Sequence, residues 1–183
     1  MIKFYQRFIL NGDNVLDIGC ADGKLAVELR NQLRRKFELT GVDVLPNNPP
    51  YKFKLIKDNN LQFRDKEFDV AMFNDVLHHM PHKNQEKMID EALRVANTVL
   101  IYEAPRSPVI KIIDILLNKI NDKRIALPLA MRNIEEWISL FKRKNLAFES
   151  KVIGMDLTSP FLNYCFMIKK QLGTTCQKSF MDF

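Results

Sequence analysis

Val15-Leu-Asp-Ile-Gly-Cys-Ala-Asp-Gly23, followed twenty residues after its last glycine by Asp43 at the end of a second apolar run, Leu39-Thr-Gly-Val, is the stretch that decides how this chain folds. A short apolar run that turns on small residues into an amphipathic segment predicts a strand, a tight turn and a helix N-terminus. Missing side chains there let backbone approach a ligand. An acidic residue closing the next strand lies beside that turn in a doubly wound sheet, where it accepts from ribose hydroxyls. The pair therefore points to a nucleoside-containing cofactor. A dinucleotide fingerprint does not fit, because its third glycine, counted from Gly19, falls on Lys24. The small residues are Gly19, Ala21 and Gly23, a Gly-x-Ala-x-Gly turn, with Cys20 read as a small filler within it.

Working outward, the pattern alternates strand and helix without repeats. Strands are expected at Asn14–Ile18, Glu38–Val42, Phe53–Ile56, Phe68–Phe73 and Thr98–Tyr102, and helices near Met1–Leu10, Lys24–Lys36, Asp75–Met80 and Lys83–Val95. Pro46, Pro49 and Pro50 break the chain after Asp43, so the second crossover is expected to be a shortened loop rather than a helix. Beyond Glu103, Pro108–Asn121 carries an apolar stripe, and Asn133 with Glu136 forms a capping-box signature for a helix reaching about Lys144. Ala147–Ile153 and Asn163–Lys170 then read as a final pair of strands around Ser159-Pro160.

The turn, Asp17 before it and Asp43 after it resemble the first two motifs of class I S-adenosylmethionine-dependent methyltransferases. Leu61-Gln-Phe-Arg-Asp-Lys-Glu-Phe-Asp-Val, Asn74-Asp-Val-Leu-His-His-Met and Arg94-Val-Ala-Asn-Thr-Val-Leu-Ile-Tyr-Glu resemble that family's stretches around its fourth and fifth strands. The resemblance implies an α/β, Rossmann-like doubly wound sheet of about seven strands in the order 3-2-1-4-5-7-6, strand 7 antiparallel, with helices on both faces. It implies S-adenosyl-L-methionine as cofactor. Gly19, Cys20, Ala21 and Gly23 would line it, Asp17 and Asn74 would stand near its methionine end, and Asp43 with Val44 would meet the ribose. Asp58 and Asn59 would meet the adenine.

Composition sets the outer limits. With 183 residues, 46% of them apolar, one methyltransferase-like domain over residues 1–172 is expected, divided into a cofactor half (1–104) and a substrate half (105–172), with 173–183 as a mobile tail. No apolar run approaches the ~20 residues needed to span a bilayer, and Met1–Leu10 has no signal-like core. Cys20, Cys165 and Cys176 form no C-x-x-C pair, which fits a reducing compartment, so a cytoplasmic location is expected. Residues 1–104 hold 15 Lys+Arg against 15 Asp+Glu, so the whole excess of +6 lies in residues 105–183.

Candidate chemistry follows strand 4. His78, His79 and His82 are the only histidines, and His78 or His79 is the candidate base for an acceptor that must lose a proton. No metal is expected: Pro81 breaks the helix that would align Asp75, His78 and His82. Glu103 and Arg106 are placed at the mouth as acceptor-binding residues. The expected partner is a small-molecule acceptor, apolar or quinone- or lipid-like, with peripheral membrane contact through the basic flanks of Pro108–Asn121 as a further expectation. Nucleic acid ranks below it because no arginine-aromatic RNA-binding motif is present. The alternatives are an RNA-modifying enzyme and a noncatalytic cofactor-binding module.

Overall fold

A computed structural model of the 183-residue chain describes residues 1–57, 60–107, 129–154 and 162–171. The elements are α1 (Ile2–Tyr5), β1 (Asn14–Ile18), α2 (Lys24–Leu33), β2 (Glu38–Asp43), β3 (Lys52–Leu55), β4 (Phe68–Asn74), α3 (His82–Val95), β5 (Ala96–Glu103), α4 (Ile134–Arg143), β6 (Leu146–Ile153) and β7 (Asn163–Lys170), with a 3-10 turn at Leu77–His79. The strands form one sheet in the order β3-β2-β1-β4-β5-β7-β6. β1 to β5 pair in parallel, and β7 runs antiparallel to both β5 and β6. The resemblance-based order is therefore the observed one.

Alternation along the central strands sorts side chains into two cores. Leu16 and Ile18 of β1, Ala71 and Phe73 of β4, and Val99 and Ile101 of β5 face a core shared with α3 and α4. Val15, Val70, Met72 and Leu100 face the other, shared with α1 and α2. Both faces being covered, β1 and β4 read as near-continuous apolar runs.

Helix ends differ from the sequence expectation for identifiable reasons. α1 stops at Tyr5 instead of Leu10, because Arg7 and Phe8 turn through three-residue backbone bonds that bring Ile9 into the core. The Arg35 guanidinium donates to the carbonyls of Gln6 and Ile9 that this turn leaves. α2 ends at Leu33, three residues early, where Arg34 adopts a left-handed conformation (φ 52) and Lys36 N–H donates to Asn11 Oδ1. Asp75–Met80 is only a 3-10 turn. α3 runs straight into β5, and Lys66 Nζ donates to the carbonyls of Leu93 in its last turn and of Ala96, the first residue of β5. The capping box stands as read: Asn133 Oδ1 accepts from Glu136 N–H, and Glu136 returns the bond to Asn133 N–H. The crossover from β2 to β3 is a proline loop with no helix. The expected Pro108–Asn121 helix, the Ser159-Pro160 turn and the tail lie outside the described residues.

Candidate functional site

The carboxyl ends of β1 and β4 lie side by side where the order of connections reverses, the position at which open α/β sheets collect ligands. β1 delivers the Gly-x-Ala-x-Gly turn there. Its three small residues all adopt positive φ, Gly19 at 75, Ala21 at 45 and Gly23 at 76, which explains their alternate spacing. At Gly19 a Cβ would stand 2.2 Å from Val76 Cγ2, and at Gly23 one would stand 2.7 Å from Pro49 Cβ and 2.8 Å from the Tyr51 ring. Space excludes a side chain at both. Ala21 tolerates its left-handed backbone because its N–H is held by Asp43 Oδ2 at 2.9 Å.

That bond also fixes Asp43. Its other oxygen accepts from Leu45 N–H at 2.9 Å, so the carboxylate stands against the turn with both oxygens oriented. A carboxylate has about four acceptor positions, which leaves capacity for two ribose hydroxyls. Val44 beside it is 61% exposed, an apolar surface at the open edge. Cys20 is buried in the turn and its thiol is pushed up to about 12, chiefly by burial, which leaves it unreactive as a nucleophile.

Asp17 is the buried charge of the site. It is 4% exposed, and burial raises its carboxyl from 3.8 to about 6, with Asp43 adding to the rise and hydrogen bonds from Tyr51 and Asn74 opposing it. Tyr51 Oη donates to Asp17 Oδ2 at 2.8 Å, and Tyr5 Oη donates to Asn74 Oδ1 at 3.0 Å. Neither tyrosine was singled out from sequence. The apolar stripe of α1 was the available signal for Tyr5; Tyr51 had none, since its partner lies 34 residues away. Asp17, Asp43 and Asn74 thus meet on the α1/α2 side of one edge. Asp58 and Asn59 lie outside the described residues.

Glu103 does not join them. It shares the α3/α4 face with Val99 and Ile101, is 1% exposed, and accepts from Val76 N–H (3.0 Å), Leu77 N–H (2.7 Å) and, through Oε2, pairs with His78 Nδ1 at 2.6 Å. It is the cap of the turn after β4 and the holder of His78, instead of a residue at the mouth. Arg106 pairs with Glu136 at 3.0 Å, on the exterior. His79 packs its ring 4.2 Å from that of His78. Asp75, His78 and Glu103 each place a donor atom within 4.8 Å of the others, a combination that sequence spacing had not assembled. His78 also carries the returning chain: its carbonyl accepts from Ala130 N–H, and Gln85 Nε2 bridges the carbonyls of Met80 and Ala130. Trp137 is a core residue, 1% exposed and stacked on Phe141.

A family model described as a methyltransferase domain matches residues 1–158. The ribosomal RNA large subunit methyltransferase E of Brachyspira hyodysenteriae is 35% identical over 72 residues, 39% of this chain; the match spans only 35% of that protein's length. A S-adenosylmethionine-dependent methyltransferase of Methanosarcina mazei superposes with a TM-score of 0.70 at 19% identity, covering 92% of this chain and 97% of that one. A chain from the Haloferax volcanii complex of the Trm112 methyltransferase activator with a putative methyltransferase gives 0.70 at 13% identity, covering 95% and 90%. At these identities the two structures speak to the fold.

Proposed function

The chain belongs to the methyltransferase-domain family, and from that premise we propose that it transfers the methyl group of S-adenosylmethionine to a small-molecule acceptor, with His78 as the base. Bound at the β1/β4 edge, the cofactor supplies an electrophilic methyl on a cationic sulfur. The Gly19–Gly23 turn admits it closely, Asp43 takes the ribose hydroxyls, and Asp17 and Asn74 face its amino-acid end. Much of the acceleration in an in-line displacement comes from holding the acceptor atom and the methyl in line.

The observation that carries the base assignment is the buried His78–Glu103 pair at 2.6 Å. Paired with the carboxylate through Nδ1, the ring is held in one orientation in the turn after β4. Such a base is needed for a hydroxyl or phenol, since a phenol near pKa 10 is largely protonated at neutral pH. A screen for radiolabelled methyl transfer over phenols, amines, lipid precursors and RNA tests the assignment. His78→Gln should lower the rate on a phenolic acceptor by about 10²–10⁴. Wild-type rates from pH 6 to 9 would remove the base.

An RNA acceptor is the second reading. It is favoured by the Brachyspira relative and by a cleft of about 980 Å³ lined by Arg30, Arg34, Arg35 and Lys36 at the opposite end of β1 and β2. Label appearing in RNA and in no small molecule would select it. No helix among the described residues is long and apolar enough to cross a membrane; the basic flanks offered for peripheral contact lie outside them.

A further inference from the structure

We propose that Tyr51 is a positioning residue for the cofactor's amino-acid end, doing from the shortened β2–β3 loop what a crossover helix would otherwise do in packing against β1 and β2. The inference rests on the cofactor reading above. Its basis is the space Tyr51 fills. The ring lies where a Cβ on Gly23 would come within 2.8 Å of it, and where a Cβ on Gly41 would come within 2.8 Å of Cε2. Two glycines on separate elements therefore clear a slot for one side chain. Tyr51 packs on the α1/α2 core, and its hydroxyl emerges at Asp17 Oδ2, 2.8 Å away. One oxygen of a buried carboxylate is thereby fixed from below, which orients the other.

The groups around Asp17 define what this bond controls. Tyr51 stands on the loop, Asn74 on β4, Asp43 at the end of β2, and Cys20 in the turn itself, while Tyr5 of α1 closes the side. None of these is a cation. The ammonium group at the cofactor's amino-acid end is thus the natural counter-charge, and its binding should be linked to release of the proton that Asp17 holds below about pH 6. The Tyr51 hydroxyl donates to the ionised form and so keeps that release within the neutral range.

Calorimetric titration with S-adenosylmethionine at pH 6 and pH 8, in buffers of different ionisation enthalpy, reads both affinity and protons released. Tyr51→Phe keeps the ring and removes the bond, which should move the Asp17 midpoint upward by about one unit. Affinity at pH 6 should then fall about fivefold and at pH 8 by less than about 1.5-fold, with proton release at pH 6 rising from about one half to about nine tenths. Asp17→Asn should abolish proton release altogether. A uniform loss of affinity at both pH values, or proton release surviving in Asp17→Asn, overturns the proposal. Carbon-13 titration of the Asp17 carboxyl in the wild type and Tyr51→Phe needs no ligand. It separates failure here, an unmoved midpoint, from failure of the cofactor reading, a moved midpoint without binding. If Tyr51→Phe does not fold, 3-fluorotyrosine placed at position 51, a stronger donor of the same shape, should lower the Asp17 midpoint, and an unmoved midpoint overturns the proposal.

Discussion

Asp17 shows most directly how burying a single carboxylate costs stability. Its folded carboxyl sits near 6 against 3.8 unfolded, mainly through burial, so between those values the folded state holds the proton more tightly. The associated stability is fully present below about pH 4 and is lost as pH rises through about 6, amounting to some 2–3 kcal/mol. Asp17→Asn should therefore make the ligand-free protein more stable than the wild type by about 2–3 kcal/mol at pH 8, with the gap closing toward pH 4. Chemical denaturation at the two pH values checks this, and equal stabilities at pH 8 would contradict it. Substitution of Glu103 changes stability in the other direction. Glu103→Ala removes the carboxylate that pairs with His78 and accepts from the buried Leu77 N–H and the half-buried Val76 N–H, a loss on the order of 3–5 kcal/mol measured by the same method. Asp17 was legible in the sequence because it precedes the glycine turn. The cap that Glu103 makes was legible only in part: counting in twos from Val99 and Ile101 puts it on the α3/α4 face, but nothing in the spacing shows that a turn 26 residues upstream needs a cap.

Elements were legible wherever local chemistry alone sets them. β1 and β7 run from the first to the last residue expected, since apolar runs bounded by turn residues leave little choice of register. The prolines after Asp43 announced a loop, and the structure has one. Where an end is set by a distant partner, the reading overshot. α1 and α2 both finish early, because Arg35 gathers carbonyls from one and Asn11 receives the chain leaving the other. α4 supplies the complementary case, a helix start fixed by its own capping box. Asn133→Ala should cost about 1 kcal/mol, read as a shift in denaturation midpoint at unchanged slope. Arg106→Gln, which breaks only an exposed pair to Glu136, should cost less than about 1 kcal/mol.

For the whole molecule, the sheet order puts the proposed cofactor edge between β1 and β4, and the pleat divides the polar groups there into two sets. Asp17, Asp43 and Asn74 lie on the α1/α2 side, where we propose the cofactor binds; Glu103 and His78 form a buried pair under the adjoining turn. The sequence places Glu103 at the mouth as well, since strand ends locate an edge without saying which face a side chain takes. The central claim is that this edge binds S-adenosylmethionine through the Gly19–Gly23 turn and Asp43. Isothermal titration of the wild type and Asp43→Ala with S-adenosylmethionine and S-adenosylhomocysteine tests it most directly. The account predicts saturable binding of both by the wild type and a loss of about 2–4 kcal/mol in Asp43→Ala, from two hydrogen bonds to a charged acceptor. Absence of heat with either ligand, alongside binding of a nicotinamide dinucleotide, would contradict it.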